Sequence, residues 1–217
     1  MTRSWPLVLA LVAISVGGWK LADRAARPAD KPRLALLTSL PLLFAEDFSL
    51  DAPKVAAVAR IEERFVITPI ATADAVSLKG QSLLLMAHPR AQPAEVLVEL
   101  DAWVRRGGQM VLLADPSLQW ESSRPLGDRL RPPPGFADTG LLRHWGLIMM
   151  TDGSSQGQLR ATEPRCSVSE RGLIARCAMG RGGVSVIADA DFIMQDGKES
   201  DRLIDLMMDE LSRAKSS

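Results

Sequence analysis

The chain carries no excess charge of either sign: Lys and Arg number 26, Asp and Glu number 26, and the formal net charge is +0. That balance removes the bulk attraction on which nucleic-acid binders and partners of acidic polymers depend. Several chemistries also lack their central part. No GxGxxG follows the first apolar run and no GxxxxGK[ST] occurs anywhere, so neither a dinucleotide nor a nucleotide has its glycine cradle. Gly-x-Ser-x-Gly occurs once, as GSSQG at 153–157, but it is followed by the cysteine hairpin and opens no helix, and neither cysteine stands at a strand-to-helix turn, so covalent hydrolysis has no mounted nucleophile. Only Cys166 and Cys177 are present, without a CxxC pair, and His88 and His144 are remote from them in sequence. A cysteine-based metal site is therefore not assembled, and the sequence implies no cofactor. Repeats of solenoid type are absent.

What is present begins with an apolar N-terminus. "MTRSWPLVLALVAISVGGWK" (1–20) has one early arginine, an uninterrupted run between Trp5 and Trp19, and tryptophans of the kind that sit at a bilayer interface. At about 1.5 Å per residue the run is short for a ~30 Å hydrocarbon core, and Val16-Gly17-Gly18 offers small residues for cleavage. A cleaved signal peptide and an uncleaved anchor both fit. The charged, proline-rich "LADRAARPADKP" (21–32) reads as a linker to a domain over 33–213. Lys20, Arg24, Arg27, Lys31 and Arg33 follow the apolar run, which by the positive-inside rule favours a cytoplasmic domain. The cysteines favour the opposite side.

They lie in "RCSVSERGLIARC", an alternating segment with Arg171-Gly172 at its middle. Folding it as a β-hairpin sets Cys166 opposite Cys177. That arrangement suits a disulfide in an oxidising compartment; two buried thiols are the alternative. "GRGG" (180–183) precedes a strand instead of opening a helix and reads as a second hairpin turn.

The remaining pattern is strand, helix, strand. "RLALLTSL", "RFVITPI", "QSLLLMAHP", "QMVLLADP", "LIMM" and "GGVSVIADADF" read as strands, several apolar enough to be buried on both faces. A helix capped by Asp51 carries Val55, Val58 and Ile61 on one stripe, and another carries Val96, Leu97, Leu100, Trp103 and Val104. Gly107-Gly108 ends the second helix, where positive φ is cheapest. A short helix over "TGLLRHWG" and an amphipathic one with Leu203, Ile204, Leu206, Met207 and Leu211 complete the set. The implied fold class is α/β: a doubly wound, mostly parallel sheet of flavodoxin or glutamine amidotransferase type with a small antiparallel hairpin insertion.

In such sheets ligands collect beyond the carboxyl ends of the strands. The candidate binding residues there are Thr38, Ser39, His88, Asp115, Asp189 and Asp191. The same ends need residues that turn the chain, and Asp115 before Pro116 is read first as an Asx-type turn. Asp189 and Asp191 alternate, so both can share one side of a strand, the minimum for a divalent ion; two acids alone do not assign a metal. His88 is the candidate base, with no nucleophile beside it.

"SLLLMAHPRAQPAEVLVELDAWVRRGGQMVLLADPS", "LLRHWGLIM" and "GGVSVIADADFI" resemble the periplasmic domain of the GldG-like auxiliary proteins of ABC-type transport systems. The resemblance implies a class I glutamine amidotransferase-like fold without the catalytic cysteine and a non-enzymatic role beside a transporter. It also implies permease and ATPase subunits as partners, and a periplasmic domain held at the inner membrane or released by signal cleavage. Two rivals stay open: a hydrolase or amidotransferase-like enzyme using His88 with Asp115 or Asp189, and a cell-envelope scaffold using the arginine- and proline-rich loop 124–131.

Overall fold

The computed structural model describes residues 31–47, 54–151 and 157–216. The apolar N-terminal segment, most of the linker and the Asp51 cap lie outside the described residues. Among the described residues no helix is long and apolar enough to cross a membrane.

Alternation of side chains along the central strands builds the core. In β1 (Arg33–Thr38), Leu34 and Leu36 enter one apolar cluster while Ala35 and Leu37 enter another on the opposite face. The strands β3 (Leu83–Ala87) and β4 (Gln109–Leu113) divide their residues in the same way and are buried almost throughout. A strand covered on both faces needs apolar residues at every position, which is why these segments read as continuous runs.

β2 (Val66–Pro69), β1, β3, β4 and β9 (Gly182–Ile187) pair in parallel in that spatial order. Numbered within this parallel core the order is 2-1-3-4-5, the flavodoxin-like arrangement, whose switch point lies between β1 and β3. The helices α1 (Ala56–Arg64) and α4 (Lys198–Ser216) cover one face, with Val58, Ile61, Leu203, Ile204, Met207 and Leu211 in its cluster. The other face is covered by α2 (Ala94–Arg105) and α3 (Leu141–Trp145), through Val96, Leu100, Trp103, Val104, Leu142 and Trp145. The chain is an α/β protein with a mostly parallel seven-stranded sheet wound on both faces.

The antiparallel parts fall in two places. The cysteine hairpin, β7 (Cys166–Ser169) and β8 (Ile174–Met179), extends the main sheet beside β9, so it is the sheet's edge and not an appendage. Cys166 and Cys177 are register partners 4.1 Å apart at Cα and are joined as a disulfide. A separate two-stranded sheet pairs β5 (Leu147–Met150) with β6 (Gln158–Ala161); the sequence pattern gives β5 and does not signal β6.

Two glycines set how the layers meet. Gly107, at φ +118, donates to the Val104 carbonyl and closes α2. Gly182 opens β9, against that helix end: a Cβ there would stand 2.2 Å from the carbonyl oxygens of both Gly108 and Val104. Neither backbone can yield without opening the contact between α2 and the sheet. Gly182→Ala should therefore lower stability by about 2–3 kcal/mol, the scale of overpacking against backbone, as read from the urea unfolding midpoint.

One polar network interrupts the apolar layer under α4. Glu210, 3% exposed, accepts from Arg176 at 2.6 and 2.8 Å, from Ser185 at 2.8 Å and from Arg213 at 2.6 Å. Burial raises its pKa, and the bonds from Arg176 and Ser185 outweigh that, leaving it below the ordinary glutamate value. A depressed carboxylate contributes stability that is present above its unfolded pKa and is lost as pH falls through the folded one. Glu210→Gln should cost about 1–3 kcal/mol at pH 7 and should flatten the acid limb of the stability profile below about pH 4.5, measured by denaturation at stepped pH.

Candidate functional site

At the switch point the crevice between β1 and β3 is stitched closed. Thr38 Oγ1 donates to the Ala87 carbonyl at 2.8 Å and accepts from the Leu40 amide at 2.9 Å. Ser39 Oγ donates to the His88 carbonyl. Both hydroxyls are committed to the main chain.

His88 follows β3 with φ +46, a left-handed conformation uncommon outside glycine, and is fully buried. Its amide donates to the Leu113 carbonyl. Its Nε2 lies 2.9 Å from the Pro133 carbonyl. A carbonyl only accepts, so Nε2 carries the proton and Nδ1 is the bare nitrogen; that atom is buried without a partner. Burial pushes the imidazole pKa down, against smaller upward effects from Pro133 and Asp115, and holds the ring neutral. Among the described residues no hydrogen bond joins His88 to Asp115 or Asp189. The base proposed from the sequence is thus a buried anchor for the proline-rich loop, spent on a carbonyl.

The acids behave differently. Asp115, 1% exposed, follows β4 and closes the expected Asx turn, with Oδ1 accepting from the Ser117 amide at 2.8 Å. Its Oδ2 accepts from the Ala190 amide at 2.9 Å, which ties the end of β4 to the end of β9. Asp189 Oδ1 accepts from the Asp191 amide at 2.9 Å, and Asp191 Oδ1 accepts from the Gln119 amide at 2.7 Å. β9 ends at Ile187, and Asp191–Ile193 is a 3-10 turn. The two acids therefore converge because the chain turns, not because a strand alternates as the sequence reading supposed.

The result is a three-carboxylate cluster. Asp115, Asp189 and Asp191 each present an oxygen within 4.8 Å of the others. No Lys or Arg is paired with any of them among the described residues. Two full charges at such a distance repel by about 3–4 kcal/mol at an effective dielectric near 20. Burial first, and then the charge of Asp115, push Asp189 up to about 6; Asp191 is raised too, again by burial first. Asp189 and Asp191 line a cavity of about 270 Å³ with Gln119, Gln195, Glu199 and Ser200, at the start of α4. The sequence reading missed Gln119 and Ser200. Its one available signal was Asp196-Gly197 just before the helix, which announces a helix start near the β9 end.

The loop proposed as an envelope-binding surface is largely turned on itself. Arg124 lies 3.7 Å from Asp128 and 4.0 Å from Glu46, and also donates to the Glu46 carbonyl. Arg131 donates to the carbonyls of Ser122 and Arg124.

No family model matches the chain, and no curated protein matches it. Among solved structures it is similar to the "mmIFT52 N-terminal domain", with TM-score 0.55 and 12% identity over 84% of this chain and 97% of that one. It is also similar to a cytoplasmic protein from Salmonella typhimurium LT2 (TM-score 0.48, 8% identity, 82% and 99% covered). A polyextremophilic β-galactosidase from the Antarctic haloarchaeon Halorubrum lacusprofundi gives TM-score 0.47 at 12% identity, over 84% of this chain and 30% of that one. The likeness to the first defines the class, an α/β domain of that fold, and at this identity it carries the fold alone.

A pKa of about 6 against an ordinary 3.8 gives Asp189 a testable signature. Between those values the folded chain holds a proton that the unfolded chain has released, so stability falls as pH rises through the window and stays lower above it. In chelator-treated buffer Asp189→Asn should be more stable than the parent at pH 7 by about 2–3 kcal/mol, with the gap closing towards pH 4, in paired urea titrations.

Proposed function

We propose that the chain is a non-catalytic accessory domain of an ABC-type transport system, held at the membrane by its apolar N-terminus and working outside the cytoplasm. The observation that carries this reading is the commitment of the strand-end side chains. Thr38, Ser39 and His88 are spent on main-chain carbonyls, and Asp115 holds two main-chain amides. What the switch-point end of this rim offers is shape, with no base set against a nucleophile. The Cys166–Cys177 disulfide supports an oxidising compartment over the one favoured by flanking charge. The GldG-like resemblance supplies the transporter, through its permease and ATPase subunits.

The hydrolase reading loses its base, since His88 is fully buried with Nε2 facing a carbonyl. The envelope-scaffold reading loses two of its cations, Arg124 to the Glu46 carbonyl and Arg131 to the loop's own Arg124 carbonyl. The test is affinity capture of the tagged full chain after cross-linking in intact cells, with permease and ATPase subunits expected in the eluate. A parallel C-terminal alkaline phosphatase fusion is expected to be active. Recovery of neither subunit, or a fusion active only as a cytoplasmic reporter, would remove the proposal.

A further inference from the structure

We infer that the groove at the amino-terminal edge of β4 and β9, walled by Arg165, Arg176, Arg181 and Arg213, is a binding site for a multiply charged phosphate group. The inference stands apart from the transport reading and needs no partner protein.

The groove follows from strand register. Ser167, Arg176 and Ser185 lie side by side across β7, β8 and β9. α4 covers that row through Glu210, which accepts from both Arg176 and Ser185. The next row on the same face, nearer the start of β9, is Gln109, Gly183 and Ala178, and the Ala178 amide donates to the Arg165 carbonyl at its end. This row is almost bare. Ala178 is exposed, and a Cβ at Gly183 would have Gln109 and the Cys177 carbonyl as its nearest neighbours, with α4 farther off. A space of about 510 Å³ is left over the sheet. Gly182 and Gly183 on its wall let a ligand come close to the main chain.

The charge of the groove is independent of its shape. Four guanidiniums and one carboxylate, Glu210, line it, an excess of three positive charges in a chain whose net charge is +0. Arg176 and Arg213 share Glu210. Arg165 and Arg181 have no carboxylate partner among the described residues. Main-chain carbonyls hold them instead: Arg165 donates to Trp145 at 3.3 Å and to His144 at 3.1 Å, and Arg181 to Arg106 at 3.0 Å. A guanidinium has five N–H donors, so these anchors orient both forks and leave most of their donors unused. Such forks match phosphate oxygens two at a time, and a single carboxylate would cancel only one of the three charges. Glu210 does not oppose the ligand, being 3% exposed and surrounded by its own donors.

The phosphate can be a soluble one or a lipid headgroup, and two measurements separate them. The first is isothermal titration of the full chain, in uncharged detergent, with sodium pyrophosphate and, separately, sodium acetate. Expected is saturable pyrophosphate binding with Kd on the order of 10⁻⁴ M, weakened at least about fivefold between about 50 and 500 mM NaCl. Arg165→Gln and Arg181→Gln should each weaken it at least about fivefold, and Ala178→Glu, which sets a carboxylate on the bare row, at least about tenfold, all with an unchanged unfolding midpoint. The second is co-sedimentation with vesicles, read as the excess bound to phosphatidylglycerol over phosphatidylcholine. An excess lost in Ala178→Glu assigns the groove to a lipid headgroup; pyrophosphate binding with an excess that the variant leaves unchanged assigns it to a soluble phosphate. The site is overturned if pyrophosphate does not saturate up to about 10 mM while the vesicle excess is the same in parent and Ala178→Glu. Acetate binding as tightly as pyrophosphate, or pyrophosphate affinity unchanged in all three variants, would overturn it equally.

Discussion

The structure turns on one buried carboxylate. Asp115 receives the Ser117 amide on one oxygen and the Ala190 amide on the other, and so joins the carboxyl ends of two neighbouring parallel strands. A carboxylate 1% exposed needs such donors, because an ionised group taken out of water without them costs more than the fold can spare. Its two bonds also fix where the chain leaves β4 and where it turns after β9. The position of Asp189 and Asp191, the path of the proline-rich loop and the mouth of the cavity at α4 all follow from that anchoring.

The same bond has an electrostatic cost. Burial first, and then the Asp115 charge at the β9 end, make Asp189 and Asp191 keep their protons to higher pH. Four main-chain amides donate into the cluster, yet the negative charge itself is not balanced by a cationic side chain among the described residues. At the opposite part of the rim the balance is reversed. Between β1 and β3, where this strand order ordinarily opens a ligand crevice, Thr38, Ser39 and His88 fill the space with bonds to carbonyls. Among the described residues, unbalanced carboxylate charge therefore sits at the β4–β9 end, while the switch point keeps one buried bare nitrogen, His88 Nδ1.

Much of the architecture is legible because it is written in short-range pattern. Continuous apolar runs mark β3 and β4, alternation around Arg171-Gly172 marks the cysteine hairpin, and the Gly107-Gly108 pair marks the end of α2. Asp115 before Pro116 announces its turn for the same reason: the Ser117 amide it captures is two residues away. The six rim candidates were found by their place after a strand, but place alone does not divide them. Thr38, Ser39 and His88 prove to be structural through partners 45 to 49 residues away, and the acids gather through contacts 72 to 75 residues apart. β6 escaped notice because "QLRA" has one buried residue in four and no pattern to detect.

By itself, then, the order of residues determined the class of fold, the buried strands, the helix ends and the hairpin that sets Cys166 opposite Cys177, all consequences of local backbone preference and short-range pattern. Only the tertiary structure decided that the hairpin extends the main sheet, that His88 faces a carbonyl and that three acids gather at one place. Those outcomes depend on which strand lies beside which, and strand order is set by the packing of whole layers, a property that no window of neighbouring residues contains.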